Sequence, residues 1–268
     1  MLFRKMMGDI KQHKSQFVSI FLMAFLGAFI YAGIGSEWVG LNKISDDFYK
    51  STNLSDVWLM GKSFTADDAD ALKKVSGVTA VERRLVLDAA ADLTGSPSVA
   101  LYITEKNEIS MPYLVDGEPF TPDAKGIWLD RRFCDARGLS LGDSITLSYG
   151  GRTWKETIKG VIYSPEAVYW SSGDGVTPDF SQSTFAYLSY KQFAKGADIP
   201  FTQLLLKTSE TDKTALENRI SQALGSAYRV YLTKDNQPSY SMFKTEVEQH
   251  RSMGEIFPLA FLAIALLT

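Results

Sequence analysis

An uncharged apolar run close to the N-terminus, Phe17–Ile34 (FVSIFLMAFLGAFIYAGI), constrains everything else in this 268-residue chain. No charge falls between Ser15 and Ser36, and at about 1.5 Å of rise per helical residue that length crosses a hydrocarbon layer of about 30 Å. The run reads as a membrane-spanning helix. A cleavable signal peptide is the competing reading, but signal cores are shorter, about 7–15 residues, and no small-x-small cleavage site separates Ile30 from Trp38. At the other end, Ile256–Leu267 (IFPLAFLAIALL) is a second apolar run of twelve residues. As helix it covers only about 18 Å, short of a crossing, so the expectation is a chain cut inside a second span.

Charge then assigns sides. Of 28 basic and 31 acidic residues, Met1–Ser36 holds Arg4, Lys5, Lys11, Lys14 and Asp9, which leaves 24 basic and 30 acidic residues between Glu37 and Glu255. Basic residues beside a first span belong on the cytoplasmic side, so the N-terminus is expected inside and the long middle segment outside the membrane. The expected organisation is a cytoplasmic leader and first span at 1–36, an extracytoplasmic domain at 37–239, and a stalk with the start of a second span at 240–268. An acidic middle without basic runs argues against a nucleic-acid partner. The single cysteine, Cys134, cannot form an internal disulfide, so the outer domain is held by its core.

Within the leader, Leu2, Phe3, Met6, Met7 and Ile10 alternate with basic residues at helical spacing. That suits a helix on the inner leaflet, and equally a leader that only sets topology. Ala24, Ala28 and Ala32 recur every four residues, with Gly35 one turn on, and offer a small-residue face for another helix, although alanine is common in any membrane helix. Tyr31 and Trp38 stand where aromatic anchors of the outer interface belong.

The middle segment alternates strand and helix patterns. Asp56–Met60 (DVWLM) reads as a strand. Thr65 and Asp68 form a capping box that opens a helix with Ala69, Leu72 and Val75 on one face, ending at Gly77. Val78–Leu87 and Val99–Thr104 follow as strands. The layout returns in Gln203–Lys207 (strand), Asp212–Leu224 (helix, with Leu216, Ile220, Ala223 and Leu224 in a stripe) and Ala227–Leu232 (strand). Two β-α-β halves thus bracket a β-rich insert at about 106–184, and the fold class expected is α+β. In the insert, Trp128–Gly138 reads as a short helix, and Ser144–Tyr149 as a strand with Ile145, Leu147 and Tyr149 on one face. Gly150-Gly151 reads as a hairpin turn into Arg152–Val161, and Ser171–Ser183 as a loop tip.

No catalytic constellation emerges. The two histidines, His13 and His250, stand on the flanks of the two apolar runs. Cys134, in FCDARGL, suits a small buried hydrophobe better than a nucleophile. No His/Cys metal spacing and no phosphate-binding G-x-x-x-x-G-K-[ST] loop is present. Ser171-Ser172-Gly173-Asp174-Gly175 lacks the carboxylates of a Ca²⁺ loop, and Asp67, Asp68 and Asp70 open a helix, where negative charge is favoured. No catalytic, cofactor or metal residues are therefore assigned. A mechanical or recognition role is expected rather than an enzyme.

The leader RKMMGDIKQHKSQFVSIFLMAFLGAFIYAGIGSEW resembles the start of bacterial FtsX-like ABC transporter permeases. GVTAVERRL, IWLDRRFCDARGLSLGDSITL and IKGVIYSPEAVY are similar to recurring segments of the MacB-like periplasmic core domain. The resemblance covers essentially the whole chain. It implies a permease part that carries ATP-driven motion from a separate cytoplasmic ATPase to an extracytoplasmic domain, in export-type mechanotransmission. The implied partners are that ATPase, the lipid bilayer, and a second permease half or an extracytoplasmic protein. The alternative is a membrane-anchored sensor ectodomain that binds a ligand or protein, with the aromatic-rich YSPEAVYW either a binding surface or packed under a hairpin. An anchored hydrolase has the least in its favour.

Overall fold

The computed structural model describes residue 8 and residues 12–169 and 179–267. The amphipathic leader at 1–14 and the loop tip at 171–183 fall largely outside the described residues. The chain divides into two units, Met1–Asp47 with Phe243–Thr268, and Phe48–Met242.

The first unit is helical. Helix α1 (Lys14–Ser51) contains the first apolar run and passes its last turn into the second unit. Phe21, Phe25 and Phe29 stack at one-turn intervals with ring centroids 6.3 and 6.4 Å apart, all three exposed. The small residues Ala24, Ala28 and Ala32 are also exposed. Among the described residues, no helix is long and apolar enough to cross a membrane. The side chains of Tyr31 and residues 34–37, which lie within the run or border it, fall outside that description.

The second unit is a mixed α+β domain built on one ten-stranded sheet. Strand β1 (Val57–Phe64) leads to helix α2 (Ala66–Lys73) and strand β2 (Val78–Ala91), then β3 (Ser98–Thr104), β4 (Tyr113–Gly117) and β5 (Ile127–Asp130). Helix α3 (Arg131–Arg137), β6 (Ser144–Tyr149), β7 (Arg152–Tyr163), β8 (Ser183–Ser189) and α4 (Tyr190–Ala194) follow. Strand β9 (Phe201–Thr208), α5 (Lys213–Leu224), β10 (Tyr228–Thr233) and α6 (Pro238–Leu267) complete the chain.

The two β-α-β segments interlock. The order β10-β1-β9-β2 inserts β9 between β1 and β2, and β1 between β9 and β10, with every neighbouring pair antiparallel. Helices α2 and α5 pack side by side over this part of the sheet, burying Ala69 and Leu72 from one and Leu216, Ile220 and Leu224 from the other. Thr65 Oγ1 accepts from Asp68 N (3.2 Å) while the Asp68 carboxylate accepts from Thr65 N (2.8 Å), so the capping box forms as its spacing requires. Ala223, expected in the buried stripe of α5, is exposed, because the stripe narrows to one residue per turn.

Beyond β2 the sheet curls and closes. Strand β2 pairs with β3, β3 with β8, β8 with β5, β5 with β7, β7 with β6, and β6 returns to β2 at Ala90 and Ala91. Residues 106–184 supply β5, β6 and β7 of this six-stranded ring, which closes only with β2, β3 and β8, a strand that runs on to Ser189. Its strands contribute Ala89, Leu101, Ala186, Leu129, Ile158 and Ile145 to a single core that continues under α2 and α5. Full burial of one aliphatic side chain is worth about 1.5–3 kcal/mol. The 14-residue length of β2 lets one strand serve both parts, pairing with β9 through its first half and with β3 through its second.

The expected helix at Trp128–Gly138 is half strand. Ile127–Asp130 is wholly buried between β7 and β8, and α3 begins only at Arg131, capped by the Asp130 carboxylate and ended by Gly138 at φ 64°. Four consecutive residues covered on both faces leave no helical stripe to form. In the β6–β7 hairpin, Gly150 (φ 56°) and Gly151 (φ 76°) supply the two positive φ values of a tight turn. Ile145 and Leu147 point inward, whereas Tyr149 at the tip is 46% exposed.

One glycine is held by close approach. A Cβ at Gly160 would collide with the Trp128 indole, whose Nε1–H donates to Glu118 O at 2.6 Å. Gly160→Ala is therefore expected to destabilise the domain by about 1–3 kcal/mol, read from chemical denaturation. An unchanged midpoint would show that the Trp128 ring yields freely.

Candidate functional site

Strand alternation puts Val81, Arg83 and Leu85 on one face of β2, and Glu82 and Arg84 on the other. On that second face both charged residues are buried, Arg84 to 1% exposure and Glu82 likewise. In the sheet register Arg84 stands opposite Gln203 of β9, and Met60 of β1 stands opposite Gln203 in turn.

Arg84 is the centre of a dense polar network. Its Nε–H donates to Gln203 Oε1 at 2.7 Å and its Nη2–H to Glu166 Oε2 at 2.5 Å, and its guanidinium lies 4.3 Å above the Tyr102 ring. Trp58 Nε1–H donates to the other Glu166 oxygen at 2.9 Å. Glu166 is 8% exposed. Burial alone would push the Arg84 guanidinium down, but the Glu166 carboxylate overrides it and holds the group above its ordinary range. Burial pushes the phenols of Tyr102 and Tyr187 up, keeping both neutral.

Glu166 sits on a loop, and four neighbours hold that loop. Ser164 Oγ lies 2.9 Å from the Tyr187 hydroxyl of β8 and accepts from Glu166 N at 3.2 Å. From α3, Arg132 donates to Ala167 O (2.8 Å) and Val168 O (2.9 Å) while paired with the Asp130 carboxylate. Gln237 Nε2 donates to Glu166 O at 2.8 Å, and Tyr169 N donates to Ser239 Oγ at 2.9 Å. The loop therefore joins the open sheet, the ring and the residues that begin α6.

That beginning of α6 also meets the end of α1 within the same unit. Tyr240 contacts Tyr49 edge-on at 5.0 Å, with the Lys234 ammonium 4.8 and 5.9 Å from their rings. Gln237 Oε1 accepts from Tyr240 N at 2.6 Å, which links the aromatic junction to the loop of Glu166. On the α1 side, Ser110 N donates to Asn53 O and Met111 N to Thr52 O, at 2.9 and 2.8 Å. The Glu82 carboxylate in turn accepts from the amides of Asn107, Glu108 and Ile109 at 2.8–3.0 Å. Neighbouring β2 residues, Glu82 and Arg84, thus support the two helix attachments separately.

A cleft of about 350 Å³ opens beside Arg84, lined among others by Trp58, Met60, Tyr102, Gln203 and Gln237. A second, of about 430 Å³, lies at Arg83, Glu105, Tyr190 and Phe201. Among the described residues no cluster of His, Cys, Asp and Glu could hold a metal ion. The residues weighed for chemistry in the sequence stand apart from this network. His13 is exposed, Asp67 and Asp68 open α2, and Ser171–Gly175 lies outside the described residues. Cys134 is in the core, its thiol pushed up to about 12 by burial and then by Asp130 and Asp135. In YSPEAVYW, Ser164, Glu166 and Ala167 are buried, while Trp170 lies outside the described residues. Arg84 and Glu166 were not singled out from the sequence. The available signal was the VERRL strand, whose alternation sets two charged residues, Glu82 and Arg84, on the face opposite Val81 and Leu85.

Glu166→Ala leaves Arg84 charged and uncompensated in the interior, and is expected to cost about 3–5 kcal/mol in denaturant unfolding. Arg84→Met with Glu166→Leu is expected to recover most of that loss; a double variant no more stable than Glu166→Ala would show that the pair itself is not the cause. Cys134 is expected to resist a thiol reagent at mildly alkaline pH until denaturant is added, and prompt labelling of the folded chain would contradict its burial.

No family model matches the chain, and no curated protein matches it. Among solved structures, it is similar to the extracellular domain of the noncanonic ABC-type transporter YknZ from Gram-positive bacteria, at 16% identity and a TM-score of 0.44, over 66% of this chain and 98% of that one. It is also similar to the periplasmic region of MacB from Actinobacillus actinomycetemcomitans, at 15% identity and a TM-score of 0.43, over 75% of this chain and 95% of that one.

Proposed function

We propose that the chain contributes an extracytoplasmic domain and two flanking membrane helices to an ABC transporter permease. In this reading the runs Phe17–Ile34 and Ile256–Leu267 lie in the bilayer, and a separate cytoplasmic ATPase drives their motion. One observation carries it. The last turn of α1 and the first turn of α6 meet inside the same unit through Tyr49, Tyr240 and Lys234, and both attachments are hydrogen-bonded onward to β2 through buried charged groups. A displacement entering along either helix would reach a packed, hydrogen-bonded sheet instead of being lost in a loop. The resemblance of the leader and of the three domain segments supports the family side of the reading. The second reading, an anchored sensor ectodomain, is favoured by the cleft beside Arg84.

Sidedness is testable against a silent background, because Cys134 is buried. A cysteine at Lys155, exposed on the β7 side of the hairpin, is expected to react with a membrane-impermeant maleimide in intact cells. Reaction only after permeabilisation would overturn the topology. For the mechanical role, Tyr240→Leu removes an aromatic pair worth about 0.5–1.5 kcal/mol without emptying the site. In the intact complex it is expected to leave ATP hydrolysis running while transport falls. A pull-down from native membranes with no ATPase subunit would favour the sensor.

A further inference from the structure

The cleft beside Arg84 has an uncommon set of walls. The guanidinium is almost wholly buried, yet its Nη1–H has no hydrogen-bond partner among the described residues. Leaving a charged donor unsatisfied in the interior costs more than leaving a neutral one, so such a group normally meets an acceptor. Gln203 presents a second donor. Its Oε1 is taken by Arg84 Nε, and its Nε2 donates to nothing among the described residues. Around these two donors stand the Trp58 indole, the Met60 side chain and the Tyr102 ring.

Charge narrows the occupant. Arg84 is already neutralised by Glu166, and a ligand carboxylate placed against Nη1 would sit close to the Glu166 carboxylate without a second cation among the lining residues. A cationic ligand would face the guanidinium. A neutral carbonyl oxygen satisfies both N–H donors without either repulsion, and an attached apolar group fills the space between indole, thioether and phenol. A volume of about 350 Å³ suits a molecule the size of one capped amino acid. We propose that this cleft is a binding site for a small neutral amide, its carbonyl oxygen accepting from Arg84 Nη1 and Gln203 Nε2 and its apolar group resting on Trp58 and Met60. The inference stands apart from the membrane reading, since every residue it uses lies within the unit Phe48–Met242.

The test uses the full chain in detergent, with nitrogen-15 in its tryptophan indoles and the Trp58 signal assigned through Trp58→Phe. 3-Phenylpropanamide is titrated in parallel with its acid, 3-phenylpropanoate, at neutral pH. The expected result is a saturable shift of the Trp58 signal with the amide and at least about tenfold weaker binding of the acid, whose carboxylate is repelled by that of Glu166. Gln203→Glu keeps an oxygen for Arg84 Nε but removes the second donor, and is expected to weaken the amide by about tenfold. Met60→Trp fills the cleft from a half-buried wall and is expected to abolish the shift while leaving the melting temperature within a few degrees of wild type. No shift up to the solubility limit of the amide, equal binding of the acid, or full binding by folded Met60→Trp would each overturn the proposal.

Discussion

The buried pair of Arg84 and Glu166 is the constraint on which the rest of the domain depends. An ion pair in the interior is a poor source of stability, because desolvation of the two charges offsets most of their attraction. Its consequence is geometric. Glu166 must stay within reach of Arg84 and Trp58, because displacement of the loop would strand a guanidinium at 1% exposure. The loop is thereby fixed, and with it the carbonyls that Arg132 and Gln237 use to attach α3 and the start of α6.

The length of β2 makes this arrangement possible. A strand ending near Leu87 would complete the four-stranded, helix-covered sheet but keep only part of its ladder with β3 and lose its pairing with β6. By continuing to Ala91, β2 supplies one wall of the ring, so a single hydrogen-bonded strand runs through both parts. Glu82 and Arg84 lie just before its pairing with β9 gives way to its longer pairing with β3. The strand shared by both parts therefore carries Glu82 and Arg84, one toward the residues that end α1 and the other toward those that begin α6.

Much of the fold was legible in the sequence because it is written in local chemistry. The Thr65–Asp68 box, the Gly150-Gly151 turn, and the stripes at Leu72 and at Leu216 and Ile220 each depend on residues within a few positions of one another. The site was not legible. Arg84 and Glu166 are 82 positions apart, and each alone looks like a surface charge. Their burial follows from β9 and β8 flanking β2 and β3, which no local pattern specifies. The misreading of IWLD as helix has the same origin, since a four-residue strand covered on both faces carries no periodicity.

The attachment points explain why the polar groups of this unit concentrate where the helices join it. An apolar contact resists separation but slides, because dispersion and hydrophobic burial are non-directional. Tyr49 against Tyr240 by itself would allow the two helix ends to roll over one another. Hydrogen bonds with fixed donors and acceptors do not. Asn53 (φ 48°), Asn107 (φ 121°) and Ser110 (φ 52°) are non-glycine residues at positive φ, the first just after α1 and the other two in the β3–β4 loop that is hydrogen-bonded to it. Backbone in such conformations persists only where its surroundings over-determine it: the Glu82 carboxylate holds the amides of Asn107, Glu108 and Ile109, while Asn53 donates from Nδ2 to Glu108 O and accepts at its own carbonyl from Ser110 N. Strain is held on the side of α1 and a buried ion pair on the side of α6. Both features sacrifice stability for a defined geometry, and both stand where a helix joins the sheet.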